Sequence, residues 1–427
     1  SADFTLIQLE GGTISDLETE TYNAFTLKTI AEGSILNSHT GAAPSTITER
    51  RDGSLPLGTD DNIRWEVSNV NNSQGTFTLS VRRGDDTRRN KIILEQFTNV
   101  SLDPKSDNYI SRVIGDQYYS IDSTTDPTQP LVVLNGDYPN RSRYVYVSEV
   151  KNQTPDYILT DGSVGPETGT SYSASLPLPR SGAFYNGVGS NIPSNEAGLY
   201  FENIGAGNIQ GLETDDYTTT INLLKNTDDF RFNFITAPGV NYKNHSSTFD
   251  SFVELAEDRG DTLFVGDLVP HGSTLVDVTS QTVNLNTSFA GSYWPWVKVR
   301  SSELGRDVWA PASTVIPGVY ANNDRVAAPW FAPAGLNRGG LNVTRAEVKL
   351  TSGMRDTLYD NRVNPIATFP RNGVVAFGQK TLQKKASALD RINVRRLLIA
   401  LKKFIASSSK YLVFEQNTTA TRNRFLN

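Results

Sequence analysis

His271, Gly272 and Ser273 are adjacent, and they are the residues of this 427-residue sequence that come nearest to a catalytic centre. A serine hydrolase needs a nucleophile held against a base, an orienting carboxylate and an oxyanion hole. Asp250 or Asp267 could supply the carboxylate, but the sequence has no G-x-S-x-G elbow and no later glycine-rich serine motif. A loop after a strand predicted at 262–269 explains the same residues. A subtilisin-like hydrolase is therefore kept only as an alternative.

A glycine-rich segment, GAGNIQG at 205–211, resembles a dinucleotide-binding loop because it follows a strand predicted at 199–204. Its spacing is G-x-G-x-x-x-G rather than G-x-G-x-x-G. The helix predicted next, at 215–226, also begins too late to direct its N-terminus at a phosphate. We therefore interpret the segment as a strand-to-helix turn.

The sequence contains no cysteine and three histidines, His39, His245 and His271, which lie far apart. The lack of cysteine excludes disulfides, thiolate zinc sites and thiol catalysis. The sequence also has no Walker motif, H-E-x-x-H motif or EF-hand loop. We therefore predict no enzymatic activity, no cofactor and no metal site. No apolar run approaches the ~18 residues that cross a bilayer, and the start of the chain does not resemble a signal peptide.

Charge is unevenly distributed along the chain. The net charge is −6, yet residues 380–427 contain eleven basic and two acidic residues, which leaves +9 there and −15 on the remainder. A basic end on an acidic body indicates an anionic partner, either nucleic acid or a protein surface. The basic segment lacks interleaved aromatic residues, and the acidic body would repel a phosphate backbone. We therefore predict a protein partner and no nucleic acid.

Three regions are predicted from the pattern of apolar residues and turn residues. Residues 1–124 form a β-rich domain, because short β-branched runs such as IRWEV and TFTLSVRR alternate with turn clusters. Residues 125–197 form an inserted lobe rich in Pro, Gly and Ser. Residues 198–427 form an α/β domain, since alternating strand and helix patterns favour a mostly parallel sheet covered by helices. The first half is expected to be mainly antiparallel.

A helix predicted over 387–408 carries the main candidate site. Ser387 and Asp390 form a capping box that predicts its start. On a helical wheel, one wide apolar stripe is predicted to face the chain's own core; it consists of Val394, Leu397, Leu398, Leu401, Phe404 and Ile405. The opposite side is basic but has two isoleucines at its centre, which is typical of a protein interface. The predicted partner face consists of Arg391, Ile392, Arg395, Arg396, Ile399, Lys402 and Lys403.

Four segments from Trp294 onward resemble the tail sheath proteins of contractile-tailed bacteriophages, above all those of the T-even type. They are WPWVKV with GRDVWAPASTVIPGVYANNDRVAAPWFAPAGLNRGG, LTSGMRDTLYDNRVNPIATF, NGVVAFGQKTL, and LDRINVRRLLIALKKFIASSSKYLVFEQN. Together they cover about a third of the chain in the order that the family shows. Residues 92–116 resemble the preceding β-containing domain of the family more loosely.

The resemblance implies a structural protein of the virion tail, assembled in the host cytoplasm. Sheath subunits form hexameric rings stacked around an inner tail tube, meet baseplate and tail terminator proteins, and contract to drive the tube through the host envelope. The resemblance places the helix matching 388–406 against the tube, so the basic side chains named above are expected to contact acidic tube residues.

The resemblance also bears on the ends of the chain. Family members extend beyond both ends, and this sequence begins with Ser1, so we expect a truncated or processed core that is mainly monomeric in dilute solution. Besides the hydrolase, two alternatives to the phage tail stay open. One is the sheath of a bacterial contractile injection system or of a phage-tail-like bacteriocin. The other is a carbohydrate- or surface-binding module in the β-rich half.

Overall fold

The computed structural model describes residues 5–9, 22–30, 49–56, 58–60, 62–128, 130–166, 171–184, 214–302 and 305–426. The strand predicted at 199–204 and the glycine segment 205–211 lie outside these residues. The chain divides into two compact units, which are described separately. Within the described ranges, no helix is both long enough and apolar enough to span a membrane.

The first unit is built from antiparallel strands. Its elements are β1 (Thr5–Leu9), β2 (Tyr22–Thr29), β3 (Ile63–Asn71), β4 (Thr76–Arg83), β5 (Ile93–Ser101), α1 (Ile110–Ile114), β6 (Tyr118–Asp122), β7 (Leu131–Asn135), β8 (Val145–Val150) and β9 (Arg180–Ala183). The strands form sheets of order β1-β2-β8 and β5-β4-β3-β9, and β6 and β7 form a two-stranded sheet.

The core of the first unit lies between its two larger sheets. Alternate residues of β4, among them Phe77 and Leu79, are buried in one cluster with Phe25 and Leu27 of β2. The rings of Phe25 and Phe77 stack with their centroids 5.6 Å apart. Because successive side chains of a strand point to opposite faces, this alternation brings the apolar faces of the two sheets together.

Two strands from the predicted inserted lobe belong to these sheets. β8 pairs with β2, and β9 pairs with β3. Main-chain pairing thus joins these two strands of the predicted lobe, 125–197, to strands far away in sequence, and the boundaries of the lobe stay a prediction. Strand pairing of this kind leaves no local signal in a region rich in Pro, Gly and Ser.

The first unit contains a network of buried ion pairs on its strands β3 and β4. Arg82 donates two hydrogen bonds of 2.7 Å to the carboxylate of Asp86, and Arg64 Nη1 lies 3.3 Å from Asp86 Oδ1. All three side chains are buried. Glu49 and Glu66 complete the network by pairing with Arg64 and Arg82 respectively. Three carboxylates therefore surround two buried guanidinium groups, and Asp86 is the one that both groups share.

Replacing Asp86 by Ala should lower the free energy of unfolding by about 3–5 kcal/mol, because two buried cations lose their shared partner. Asp85→Ala is the matched control, since Asp85 pairs with Arg83 at the surface. It should cost about 0.5 kcal/mol or less. Urea denaturation measures both changes, and similar losses for the two variants would contradict the network's role.

The second unit contains the remaining described elements. They are α2 (Thr214–Leu224), β10 (Phe234–Asn241), α3 (Ser246–Arg259), β11 (Leu263–Asp267), α4 (Leu275–Gln281), β12 (Ala290–Trp294), β13 (Val297–Arg300), β14 (Asp307–Ala310), α5 (Ala312–Val326), β15 (Arg345–Ala346), α6 (Ser352–Asp360), β16 (Asn364–Phe369), β17 (Gly373–Ala376), α7 (Ile392–Ser409) and α8 (Thr419–Leu426). The whole chain is thus a mixed helix-and-sheet protein with antiparallel and parallel sheets.

A five-stranded sheet of order β10-β11-β12-β16-β17 organises the second unit. Its first three pairings are parallel and the last is antiparallel. Phe264 of β11 packs in a cluster with α3, whereas its neighbours Leu263 and Val265 pack in another with α5. Both faces of β11 are therefore covered by helices. A small antiparallel sheet of order β14-β13-β15 was not predicted.

A fully buried carboxylate joins this sheet to α5. Asp267, the last residue of β11, accepts hydrogen bonds from the backbone N–H (3.1 Å) and the hydroxyl (2.5 Å) of Ser313 in the first turn of α5. Burial raises the pKa of Asp267 from 3.8 to about 7, although both bonds from Ser313 act in the opposite direction. The carboxyl group is therefore stabilised in its neutral form within the fold.

Asp267 should make the second unit less stable as the pH rises. The unfolded chain ionises this group near pH 4 and the folded chain near pH 7, so its stabilising contribution is complete below pH 4 and is lost by pH 7. Between pH 4.5 and 8, the wild type should lose on the order of 3 kcal/mol more unfolding free energy than Asp267→Asn. Urea denaturation of both proteins at the two pH values measures this, and equal losses would contradict it.

Candidate interaction surface

The candidate site lies on α7, which begins later than its capping box predicts. Ser387 accepts a hydrogen bond from the backbone N–H of Leu389, but this closes a 3-10 turn at Ala388–Asp390. α7 itself starts at Ile392 and has no side-chain cap. The capping-box residues therefore close a separate turn just before the helix.

The two isoleucines predicted to meet a partner lie in the core of the second unit. Ile392 is 0% exposed and Ile399 is 3% exposed, and both belong to the cluster around β11 and α5. Gly291 of β12 makes room for Ile392, because a Cβ atom at Gly291 would lie 3.0 Å from Ile392 Cδ1. This side of α7 therefore packs against the sheet.

Two arginines on the same side of α7 are also buried and bonded. Arg395 donates to the carbonyl and hydroxyl oxygens of Ser288, and its guanidinium lies 3.8 Å from the centre of the Phe289 ring. Arg396 donates to Asp324 at 2.6 Å and lies over the ring of Tyr320. Burial lowers the pKa of Arg395. These side chains hold the helix against its own unit.

Arg391, Lys402 and Lys403 are bonded within the chain as well. Arg391 donates to the hydroxyl of Tyr359 and pairs with the adjacent Asp390 at 3.2 Å. Lys402 donates to the carbonyl of Arg259 at 3.2 Å, and Lys403 donates to the carbonyl of Phe232. Arg391 is partly exposed and Lys402 is exposed, so these two cations still reach solvent.

The opposite side of α7 carries large apolar side chains that face solvent. We call the four of them the apolar stripe: Leu398 (41% exposed), Leu401 (46%), Phe404 (69%) and Ile405 (51%). Of the six residues predicted to face the chain's own core, these four are therefore exposed instead, and the other two, Val394 and Leu397, are half-buried.

The burial of the basic side of α7, instead of its apolar side, has a physical cause. The long stems of Arg and Lys pack on apolar surface while their charged ends reach bonding partners, and here those partners are carbonyl oxygens, Ser288 and Asp324. A helical wheel gives the period of the apolar pattern. It does not show which side of the helix meets hydrogen-bond acceptors and apolar surface in the folded chain.

The residues considered for a serine hydrolase do not form a catalytic triad. Ser273 donates its hydroxyl to the carbonyl of Pro270 at 2.7 Å, and Asp267 bonds Ser313 instead. His271 Nε2 lies 3.6 Å from Glu347 Oε1. Asp250 is exposed on α3. Across the parts of the chain that the structure describes, no three His, Asp or Glu side chains are grouped to hold a metal ion.

Comparison with known families supports the resemblance drawn from the sequence. Residues 210–382 match the family described as "Phage tail sheath protein central domain". This region includes most of the second unit and ends just before α7. The resemblance to phage tail sheath proteins is confirmed.

Three curated relatives share the name "Tail sheath protein". The protein of Vibrio phage KVP40 is 40% identical over 160 residues, covering 36% of this chain and 23% of the relative. That of Enterobacteria phage T4 is 42% identical over 118 residues, covering 27% of this chain and 18% of the relative. That of Salmonella phage ViI is 31% identical over 226 residues, covering 47% of this chain and 35% of the relative. The matched regions thus span about a third or less of these relatives.

Solved structures of sheath proteins are also similar. The sheath tail protein of Desulfitobacterium hafniense gives a TM-score of 0.41 at 11% identity, covering 99% of this chain and 68% of that one. The helical sheath of the anti-feeding prophage in its contracted state gives a TM-score of 0.41 at 25% identity, covering 55% of this chain and 64% of that one.

The orientation of α7 predicts a large effect for one substitution and a small effect for another, two residues further along the helix. Ile399→Ala should lower the free energy of unfolding by about 2–4 kcal/mol, because it opens a cavity in the core. Leu401→Ala, on the exposed side of the same helix, should change it by about 0.5 kcal/mol or less. Thermal or urea denaturation of the isolated chain distinguishes them. A larger loss for Leu401→Ala would restore the orientation predicted from the wheel.

Proposed function

We propose that the chain is a structural subunit of a contractile phage tail sheath, which polymerises around an inner tail tube and contracts to drive the tube through the host envelope. The observation that carries the proposal is the match of residues 210–382 to the sheath central domain, which falls on the second unit. The names of the three curated relatives support it.

In the proposed function the chain acts by packing against other protein subunits rather than by catalysis. A contractile polymer needs subunits that can pack in two ways, with a modest difference in free energy that is multiplied over many copies. The partners proposed are therefore further copies of the chain in stacked hexameric rings, the tube protein, and the baseplate and terminator proteins at the two ends. The proposed location is the phage tail, with assembly in the host cytoplasm.

A tube contact by α7 remains part of the proposal in a narrower form. The predicted residues Ile392, Arg395, Arg396 and Ile399 are buried within the second unit, and Lys403 is half-buried. Arg391 and Lys402 can reach an acidic tube surface from where they lie. Exposed ion pairs of this kind are individually weak and salt-sensitive, so many of them can be released together.

Negative-stain electron microscopy of the chain with and without its tube protein tests the function. Striated sheaths around tubes are expected, because the tube provides a template for weak subunit contacts. The charge-reversed variant Arg391→Glu/Lys402→Glu should coat fewer tubes than the wild type at about 50 mM salt.

The matched control for that variant is Arg89→Glu, an exposed basic residue of the first unit. It should coat tubes as the wild type does. Bare tubes under every condition with the wild-type chain would contradict the proposed function. Normal coating by the charge-reversed variant would contradict only the tube contact.

A further inference from the structure

Three Asn-Gly pairs occur in the sequence, at 135–136, 186–187 and 372–373. In such a pair the backbone nitrogen of the glycine can reach the side-chain carbonyl carbon (Cγ) of the asparagine, because glycine has no Cβ in the way. The pair at 186–187 lies outside the described residues. Of the other two pairs, one ends β7 and the other begins β17, and their surroundings differ.

Asn372 lies in the turn that joins β16 to β17. Its backbone N–H donates to the carbonyl of Phe369 at 3.3 Å, and Arg371 has a φ of +71°. Pro370 at the second position and a left-handed residue at the third are the features of a type II turn. Asn372 is exposed, and its side-chain amide makes no hydrogen bond to any residue that the structure describes. The amide is therefore free to turn toward the main chain.

The space beside Gly373 is open. Gly373 is exposed and has a φ of +70°, and a Cβ atom built on it would meet no atom within 4 Å other than those of its chain neighbours. No other described segment therefore crowds this end of the turn, and a ring that joins the nitrogen of Gly373 to Cγ of Asn372 has room to form.

Asn135 and Gly136 form the same pair in a closed setting. Asn135 is half-buried, and its Nδ2 donates to the hydroxyl of Ser120 at 2.7 Å. A Cβ atom built on Gly136 would clash with the carbonyl oxygen of Asp116. The side-chain amide is thus held by its bond, and the main chain at Gly136 packs against another segment. The attack that is open at Asn372 requires this hairpin to open first.

We propose that Asn372 is a site of spontaneous deamidation, in which water is the only co-reactant. The nitrogen of Gly373 attacks Cγ of Asn372 and loses its proton. The new C–N bond forms, and the side-chain nitrogen leaves with that proton as ammonia. Water then opens the resulting cyclic imide. Opening at Cγ leaves an aspartate, and opening at the main-chain carbonyl carbon leaves an isoaspartate, so in sum one amide and one water give one carboxylic acid and one ammonia.

The modification alters the outer edge of the five-stranded sheet. β17 is the last strand in the order, and Gly373 at its start pairs with Phe369. Aspartate adds one negative charge to the turn and leaves the main chain as it was. Isoaspartate adds one carbon atom to the main chain just before Gly373, so the pairing of Gly373 with Phe369 loses its register. The turn therefore acquires two altered forms as the chain ages, without an enzyme and independently of the proposed function.

Peptide mapping of the full chain by mass spectrometry tests the inference. The folded chain is incubated in mildly alkaline buffer, which favours loss of the proton from the attacking nitrogen, and is then digested in acid to stop the reaction. The peptide that contains Asn372 should gain the mass by which OH exceeds NH2. It should do so at least about fivefold faster than the peptide that contains Asn135, whose amide must first give up a hydrogen bond.

The same chain unfolded in urea is the matched control. There both pairs lack the contacts of the fold, so Asn135 and Asn372 should react at similar rates. A difference that is present in the folded chain and absent in urea is due to the fold rather than to the dipeptide.

The variant Asn372→Gln identifies the site and the products. Its longer side chain disfavours the ring, so the peptide should keep its mass, and thermal melting should show a folded chain because this position is exposed. An isoaspartyl methyltransferase with labelled S-adenosylmethionine detects the isoaspartate. It should label the peptide that contains Asn372 in the aged wild type and leave the corresponding peptide of the variant unlabelled.

A peptide containing Asn372 that keeps its mass in the folded chain would overturn the inference. Equal rates at Asn372 and Asn135 in the folded chain would overturn it as well, because the contacts at Asn135 would then give no protection. Neither measurement involves the tube protein, so neither result bears on tube coating or on the proposed function.

Discussion

The bonds made by Arg395 and Arg396 are the interactions on which the orientation of α7 depends. Both guanidinium groups are buried. Arg395 meets Ser288 and the ring of Phe289 just before β12, and Arg396 meets Asp324 and the ring of Tyr320 on α5. A buried cation without partners is costly, so the helix cannot rotate these side chains into any other part of the core. Ile392 and Ile399 lie on the same side of α7 and are therefore buried together with the two arginines.

This orientation leaves the second unit with an apolar surface that its own core does not use. In an ordinary surface helix, the burial of Leu and Phe supplies most of the packing free energy. Here Ile392, Ile399 and the stems of two arginines supply it instead. The more apolar side of α7 is thus available for intermolecular contacts, which suits a chain whose proposed work is done by packing against other subunits.

Much of the fold could be predicted from local patterns. The runs TFTLSVRR and TLFVGDLV, both predicted as strands, form β4 and β11. β2, in contrast, was missed, because YNAFTLKT lies outside the runs that the pattern singled out. The small sheet of β13, β14 and β15 was also missed; β13 and β14 form a local hairpin, but β15 joins β13 from about 45 residues further along the chain.

The sequence by itself determined the class of the chain, its charge asymmetry and the amphipathic period of α7, because composition and a 3.6-residue repeat are local properties. It also carried the sheath motifs, which the family match to residues 210–382 bears out. Only the tertiary structure decided which side of α7 is buried. That choice depends on Ser288, Asp324 and Tyr320, which lie about 70 to 110 positions away in the chain and provide hydrogen-bond acceptors and aromatic rings for the guanidinium groups.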